Sequence, residues 1–291
     1  MDLKEVGVFC FLDALPGAQT GVFARKVERL GYSALWFAEV AGRESFSFAS
    51  ALLGQTERLI VATGIAVAFS YAPIAAANAA RTLGELFEDR FILGLGAGNQ
   101  AFNAQRGVHY ERPVRFMREY LAKMKAAPYG APPPQHAPPI VLAGMMPKML
   151  QLAATATQGT HTYFTTTEQV ARVREAIGPE PWLCAELGVI LETHSAKARA
   201  AARRYMQFYL TVDHYLHRLR AVGFSEEDFA NGGSDRLVDA LIAWGSESEI
   251  RERIAAYYKA GATHVCIMPL SAESGTAPKP DERALEVLAP R

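Results

Sequence analysis

The chain has 291 residues, of which 50% are hydrophobic and 21% are charged. This composition is typical of a globular protein with enough apolar material for a large core. Thirty basic and thirty acidic side chains give a formal net charge of zero, which argues against a global attraction for nucleic acid or an anionic membrane. A phosphate-bearing ligand would therefore need a local site.

The start of the chain is charged and lacks the apolar segment of a signal peptide. No run of about 18 apolar residues, the length needed to cross a bilayer, occurs in the sequence. We therefore expect a cytoplasmic protein whose partner is a small-molecule substrate, with no nucleic acid and no membrane bound.

Neither the cysteines nor the histidines predict a metal site. Cys10, Cys184 and Cys266 are odd in number, and each lies in or beside an apolar segment, which is typical of buried free thiols. His214 and His217 lie three residues apart on a predicted helix, but metal binding needs a third converging ligand. We interpret these histidines as half-exposed or pocket-lining side chains.

Short apolar segments recur along the chain and predict eight β-strands. Most are continuously apolar, as expected for parallel strands that are buried on both faces. Helical patterns separate them, which favours right-handed βαβ units and an α/β fold, a closed (β/α)8 TIM barrel that forms one domain over residues 1–291. The predicted strands are Val6–Phe11, Ala34–Ala38, Leu59–Val67, Phe91–Leu95, Ile140–Ala143, Thr162–Phe164, Leu187–Leu191 and Val265–Leu270.

The helix signals agree with this order of elements. Phe23 and Val27 share one helix face before Gly31, a residue type suited to end a helix. Near the other end of the chain, Ser246 and Glu249 have the spacing of a capping box. Both helices are followed by a predicted strand.

Two segments are longer than ordinary barrel connections, and insertions of this kind often shape an active site. Residues 99–139 follow the fourth predicted strand and contain a predicted helix over 113–126 and a proline-rich stretch. Residues 193–244 follow the seventh and contain an alanine- and arginine-rich helix that starts at 196. For the aromatic residues of the second insertion, we favour packing within the insertion over stacking on a cofactor. These are Tyr205, Phe208, Tyr209 and Tyr215.

In a barrel of this type, chemistry is expected at the carboxyl ends of the strands. Glu39 ends the second predicted strand, where desolvation can raise the pKa of a carboxyl group and make it a proton donor. An ion pair with Arg43, four residues later, explains the same residue equally well.

Glycines follow or interrupt three neighbouring predicted strands. Gly64 lies inside the third strand, where it indicates either the close approach of a ligand or simple packing. Residues 94–99, GLGAGN, offer N–H groups for phosphate oxygens but lack the last glycine of a dinucleotide fingerprint. Gly144 precedes a predicted helix that starts near Pro147, which suits either an anion site or an ordinary turn. Two such exits on adjacent strands favour a phosphate site.

Several motifs, taken in chain order, carry a resemblance to a known family. They are GYSALWFAE at 31–39, ATGI at 62–65, RTL at 81–83, RFILGLG at 90–96, HYERP at 109–113, GGSDRLVDAL at 232–241 and AGATHV at 260–265. In this order they resemble the luciferase-like monooxygenase superfamily, specifically its coenzyme F420-dependent oxidoreductases. The resemblance covers nearly the whole chain.

The resemblance implies an oxidoreductase that transfers a hydride between F420 and a small organic substrate. It places the tricyclic ring at the barrel mouth and the phosphate on the loops after the fourth and fifth strands. It also implies a cis peptide bond in the third strand and a homodimer, the common state of relatives. The cofactor-binding residues that it implies are Thr63, Gly64, Ile65, Gly96, Ala97, Gly98, Asn99, Gly144, Met145 and Met146.

The sequence departs from several family members at Val40, where they have a histidine after the acid that ends the second strand. Glu39 is therefore the predicted acid, with His109 and Tyr110 as further catalytic candidates. An FMN-dependent monooxygenase on the same fold is an alternative, and so is a non-catalytic flavin-binding protein. A Schiff-base aldolase is disfavoured because no lysine lies inside a predicted strand.

Overall fold

The computed structural model describes residues 3, 6–40, 42–273 and 279–290, without the side chains of 101 and 102. Positions 1, 2, 4 and 5, which contribute to the expectation of a cytoplasmic protein, lie outside the described residues. Within the described ranges, no helix combines the length and the apolar character needed to cross a membrane.

The strands of the described residues form a single sheet. Most of their side chains are buried, as the continuously apolar segments predict. The strands are β1 (Gly7–Cys10), β2 (Ala34–Phe37), β3 (Ile60–Thr63), β4 (Ala66–Val67), β5 (Phe91–Gly96), β6 (Ile140–Ala143), β7 (Gly159–Thr162), β8 (Trp182–Ile190), β9 (Ile242–Trp244) and β10 (His264–Pro269).

The sheet closes into a barrel. Its order is β10-β1-β2-β3-β5-β6-β7-β8, and β8 pairs with β10 to complete the circle. All of these pairs are parallel, with Phe9 opposite Trp36 and Cys184 opposite His264 as examples of the register. Strand β4 continues the third barrel strand and pairs with β5, while β9 pairs with the last residues of β8. The predicted (β/α)8 barrel is confirmed.

Helices cover the outside of the barrel and follow most of its strands. The capping box of Ser246 and Glu249 is confirmed, and the predicted helix over 113–126 is present with its end one residue earlier. The helices are α1 (Gly17–Arg29), α2 (Ser45–Leu53), α3 (Pro73–Leu86), α4 (Gln100–Gln105), α5 (Pro113–Lys125), α6 (Pro147–Ala156), α7 (Thr167–Ile177), α8 (Ser195–Met206), α9 (Asp213–Arg220), α10 (Glu226–Phe229), α11 (Asp235–Leu241), α12 (Glu247–Lys259) and α13 (Glu282–Val287).

Two strand boundaries differ clearly from the prediction. The sixth barrel strand is β7, which ends where the predicted segment Thr162–Phe164 begins, because its buried residues are mostly polar and do not form an apolar run. The seventh is β8, which starts five residues before the predicted Leu187 and includes the charged residue Glu186. Strand β9 was not predicted, since three residues are too few to produce a pattern.

The interior of the barrel and the layer between strands and helices form two separate cores. Phe9, Trp36, Cys184 and Cys266 belong to the interior cluster. The residues that alternate with them along the strands face the helices, as expected for a period of two. All three cysteines are buried and free, which confirms that prediction.

At the amino-terminal end of the barrel, both ring nitrogens of a buried histidine are hydrogen-bonded. His264 Nε2 accepts a hydrogen bond from Trp36 Nε1 (3.0 Å), so Nδ1 carries the proton and donates to the Leu3 carbonyl oxygen (3.0 Å). A Cβ atom at Gly7 would lie 2.6 Å from His264 Nε2. The imidazole therefore depends on a glycine in the neighbouring strand.

Candidate active site

Most of the predicted site residues lie at the carboxyl ends of the barrel strands. Parallel strands bring these ends to one face of the barrel, which is where enzymes of this fold place their chemistry. The residues at this face are Glu39 after β2, Thr63, Gly64 and Ile65 at the end of β3, Gly96–Asn99 at the end of β5, and Gly144–Met146 after β6.

Glu39 joins four elements of this face through its carboxylate, whose side chain is 8% exposed. Oε2 accepts hydrogen bonds from Ser45 Oγ (2.6 Å), the Tyr71 hydroxyl (2.8 Å) and the Val67 N–H (3.3 Å). Oε1 lies 3.5 Å from the guanidinium of Arg106. These four contacts hold the carboxyl group in one position among the surrounding elements.

The ion pair of Glu39 is made with Arg106 rather than with Arg43. The Arg43 guanidinium instead donates to the carbonyl oxygens of Leu12 (2.7 Å) and Leu15 (2.5 Å), after β1. Glu39 and the two arginines line an open cleft of about 410 Å³. Walls with a carboxylate and two guanidinium groups suit a polar small molecule.

His109 and Tyr110 lie between α4 and α5 in different environments. The His109 side chain is 83% exposed and pairs with Glu111 at 2.8 Å. Tyr110 packs on Phe69, which follows β4, with ring centroids 5.6 Å apart, and burial raises the pKa of its hydroxyl. Tyr110 is therefore the better placed of the two against the strand ends.

The third barrel strand is interrupted at the predicted position. The peptide bond between Gly64 and Ile65 is cis, as the family resemblance implied. Thr63 Oγ1 donates to the Gly94 carbonyl oxygen (2.7 Å), which ties the strand to β5. A Cβ atom at Gly96 would lie 2.6 Å from Ile65 Cδ1, so Gly96 also permits close packing of the two strands.

The loops after β5 and β6 contain unpaired main-chain donors. The N–H groups of Gly98, Met145 and Met146 donate no hydrogen bond to any described residue. The first loop is held in place by Asn103, whose Nδ2 donates to the Ala97 carbonyl oxygen (2.7 Å). Free N–H groups on adjacent loops are the donors that bind phosphate oxygens in many proteins.

The β7–β8 side of the mouth contains two buried titratable groups. Glu186 is 2% exposed, and its Oε2 accepts a hydrogen bond from the Phe164 N–H (3.1 Å), while Oε1 has no partner among the described residues. Burial raises the pKa of Glu186 to about 8 and lowers the pKa of His161, in β7, to about 3. Both groups are therefore uncharged near neutral pH.

The aromatic residues of the second insertion pack together and also contact β7. The Tyr163 hydroxyl, just after β7, lies 2.7 Å from the Tyr205 hydroxyl and 2.6 Å from the Tyr209 hydroxyl. The Tyr209 ring stacks on Phe164 at 4.6 Å. These contacts fix the insertion over the carboxyl end of the barrel.

Two polar residues at this side of the mouth were not predicted. Glu186 could have been found, because it is a lone carboxylate within the otherwise uncharged stretch of β8. Arg218, in α9, approaches the loop after β7 but has no local signal, since it lies among other charged residues of a short amphipathic helix. Its position depends on contacts more than 50 residues away in the chain.

A family model described as luciferase-like monooxygenase matches residues 5–264 of the chain. The 5,10-methylenetetrahydromethanopterin reductase of Methanolobus tindarius is 22% identical to this chain, and the alignment covers 88% of this chain and 91% of the reductase. Both matches extend over most of the barrel.

Solved structures share this fold. An F420-dependent secondary alcohol dehydrogenase, in complex with an F420-acetone adduct, has a TM-score of 0.78 at 16% identity, covering 99% of this chain and 98% of the dehydrogenase. The oxygenating constituent of 3,6-diketocamphane monooxygenase from Pseudomonas putida, in complex with FMN, has a TM-score of 0.73 at 15% identity, covering 98% of this chain and 96% of the monooxygenase. At these identities the likeness shows the fold alone.

Proposed function

Because the chain belongs to the luciferase-like monooxygenase family, we propose that it is an oxidoreductase that transfers a hydride between coenzyme F420 and a small organic substrate. Support comes from the resemblance to the F420-dependent branch and from the fold shared with an F420-dependent dehydrogenase. The hydride chemistry is supplied by the cofactor itself when it is bound.

The observation that carries the proposal is the pair of neighbouring loops with free main-chain donors. The unpaired N–H groups after β5 and β6 fit an anionic phosphate without any change in the loop hydrogen bonds described above. In this proposal, Gly96–Asn99 and Gly144–Met146 hold the phosphate, and Thr63, Gly64 and Ile65 lie against the ring. The protein then orients the ring and substrate and excludes water.

Cofactor binding can be tested by anaerobic titration of the purified protein with F420 and with FMN. We expect F420 to bind more tightly, followed by its reduction or oxidation with a member of a substrate panel. Tighter binding of FMN with oxygen-dependent turnover would instead identify a flavin monooxygenase. Binding without any turnover would identify a non-catalytic binding protein.

A matched pair of glycine variants tests the loop after β5. Gly98 and Gly178 both have positive φ angles, 67° and 79°, so alanine introduces backbone strain at either position. Gly178 lies at the opposite end of the barrel, between α7 and β8. We expect Gly98→Ala to weaken F420 binding about tenfold and Gly178→Ala to leave it unchanged. Equal losses would remove the assigned role of this loop.

The catalytic assignment of Glu39, His109 and Tyr110 also remains a proposal. We expect Glu39→Gln to lower kcat at least about 100-fold, because proton transfer by a positioned side chain contributes roughly that much. Tyr110→Phe should have a smaller effect and His109→Ala the smallest, since His109 is exposed. Measuring kcat beside F420 affinity separates loss of chemistry from loss of binding, and an unchanged kcat in Glu39→Gln would exclude it as the acid.

A further inference from the structure

Arg218 is a largely buried cation at the barrel mouth, and no anionic group of the described residues pairs with it. Its Nε is closed to solvent and has no hydrogen-bond partner. Nη1 contacts the thioether of Met145, and Nη2 lies 3.4 Å from the Tyr163 carbonyl oxygen and 3.5 Å from that of Phe164. Both distances exceed the roughly 2.7–3.2 Å of ordinary N–H···O hydrogen bonds. None of the described carboxylates makes an ion pair with it.

The charge of Arg218 persists despite its surroundings. Burial lowers the pKa of Arg218 to about 10, so the guanidinium stays protonated at neutral pH. The ring of Tyr215 lies 4.8 Å below it and contributes a cation–π contact. A desolvated cation with only weak acceptors is unfavourable, and an anion would offset that cost.

Arg174 provides a comparison, because it is an arginine whose hydrogen bonds to carbonyl oxygens have a structural role. Arg174, at the amino-terminal end of the barrel, donates through Nε to Gly261 (2.9 Å) and through Nη1 to Gly178 (2.5 Å) and Pro181 (2.9 Å). Its Nη2 is unpaired, but these three bonds join two loops. Arg218 makes no comparably short bond to a carbonyl oxygen.

Arg218 reaches the start of α6, which is a ten-residue helix. The helix has Pro147 at its first position and no side chain that caps its amino terminus. The N–H groups of Met145 and Met146 are unpaired at the same place. A largely buried guanidinium, free main-chain donors and the positive end of a helix dipole thus lie at the same loop, between β6 and α6.

We propose that Arg218 binds a phosphate group of the ligand together with the N–H groups of Met145 and Met146. The planar guanidinium offers parallel donors that match phosphate oxygens, and the ligand would replace the thioether contact with a charged one. The phosphate comes from the cofactor or from the substrate. The first source rests on the proposed function, whereas the binding site itself does not.

The test compares wild type with Arg218→Met, which keeps the length and apolar stem of the side chain. Arg220→Met is the matched control, since Arg220 lies on the same helix but is exposed and paired with Glu226. Thermal unfolding is measured with increasing inorganic phosphate against chloride at equal ionic strength. We expect phosphate to raise the Tm of wild type and Arg220→Met but not of Arg218→Met. An equal rise in all three proteins, or none in wild type, overturns the proposal.

Binding of paired cofactors then identifies the source of the phosphate. F420 is compared with its phosphate-free riboside, and FMN with riboflavin. If the cofactor supplies the phosphate, Arg218→Met weakens the phosphate-bearing member of each pair about tenfold or more and leaves the other unchanged. If Arg218→Met binds both members of each pair as tightly as wild type but no longer responds to phosphate in Tm, the phosphate belongs to the substrate. Failure of wild type to bind any cofactor rejects the proposed function without affecting the Tm result.

A charge-conserving variant separates the loss of phosphate binding from a general defect in folding. Arg218→Lys retains the cation but loses the fork of donors. We expect it to recover part of the phosphate-induced rise in Tm that Arg218→Met loses. Should Arg218→Lys and Arg218→Met respond to phosphate identically, and as wild type does, the guanidinium has no role in anion binding.

Discussion

His264 and Arg174 at one end of the barrel make more short hydrogen bonds than Glu186 and Arg218 at the other. At the amino-terminal end, both ring nitrogens of His264 are paired, and Arg174 binds three carbonyl oxygens at 2.9 Å or less, although its Nη2 has no partner. At the carboxyl end, Glu186 Oε1 and Arg218 Nε are buried without partners. Unpaired buried polar atoms also occur at the amino-terminal end, at Asp89 Oδ1, Arg90 Nε and Arg174 Nη2. Only at the carboxyl end, where enzymes of this fold bind their ligands, can a ligand supply the missing partners.

The carboxyl end itself contains two contrasting carboxyl groups. Glu39 is surrounded by hydroxyl, amide and guanidinium donors, whereas Glu186 receives one hydrogen bond from the Phe164 N–H. Glu39 thus accepts hydrogen bonds that link several elements, whereas Glu186 is a neutral acid in an apolar environment. Three variants test these differences through their effects on stability.

The largest effect is expected at the amino-terminal end. Gly7→Ala places a methyl group 2.6 Å from His264 Nε2 and 3.1 Å from the Ala34 carbonyl oxygen. We expect the free energy of unfolding to fall by about 3 kcal/mol, because the imidazole must move and its bond to Trp36 is lost. Urea unfolding measures this. Gly17→Ala is the control, since a Cβ atom there meets nothing within 4 Å, and equal stabilities of the two variants would contradict the assignment.

The second effect depends on pH. Glu186 has a raised pKa of about 8 in the folded protein, against an ordinary value of 4.5. Between these values the folded state holds a proton that the unfolded state has lost, so stability falls as pH rises. We expect wild type to lose about 2 kcal/mol more than Glu186→Gln between pH 6 and pH 8. Parallel stability profiles of the two proteins would show that Glu186 is not desolvated.

The smallest effect is expected at Glu39 and has the opposite sign at high pH. Glu39→Gln replaces one acceptor oxygen by an NH₂ group that faces other donors, so we expect a loss of about 1–2 kcal/mol. At pH 8 this variant should be less stable than wild type, while Glu186→Gln should be more stable. Denaturant unfolding of both at pH 8 decides this, and a stabilised Glu39→Gln would mean that the surrounding donors do not depend on both carboxyl oxygens.

Much of the fold follows from short stretches of the chain. Seven of the eight barrel strands were predicted as apolar runs, and the helix that starts after Ser246 as a capping box, because burial on both faces and end capping act over a few residues. The sixth, β7, was misplaced because its buried residues are mostly polar. The position of Glu39 at a strand end is predictable for the same reason. These features need no knowledge of distant partners.

The partners of each site residue were decided only by the tertiary structure. Glu39 meets Arg106, 67 positions later, because strands and helices that are distant in the chain end at the same face. Arg218 approaches Met145 for the same reason, and no local pattern relates the two. The sequence thus determined which segments become strands and helices through local burial and capping. Closure of the barrel decided which side chains meet, since only a closed sheet brings all eight carboxyl ends to one mouth.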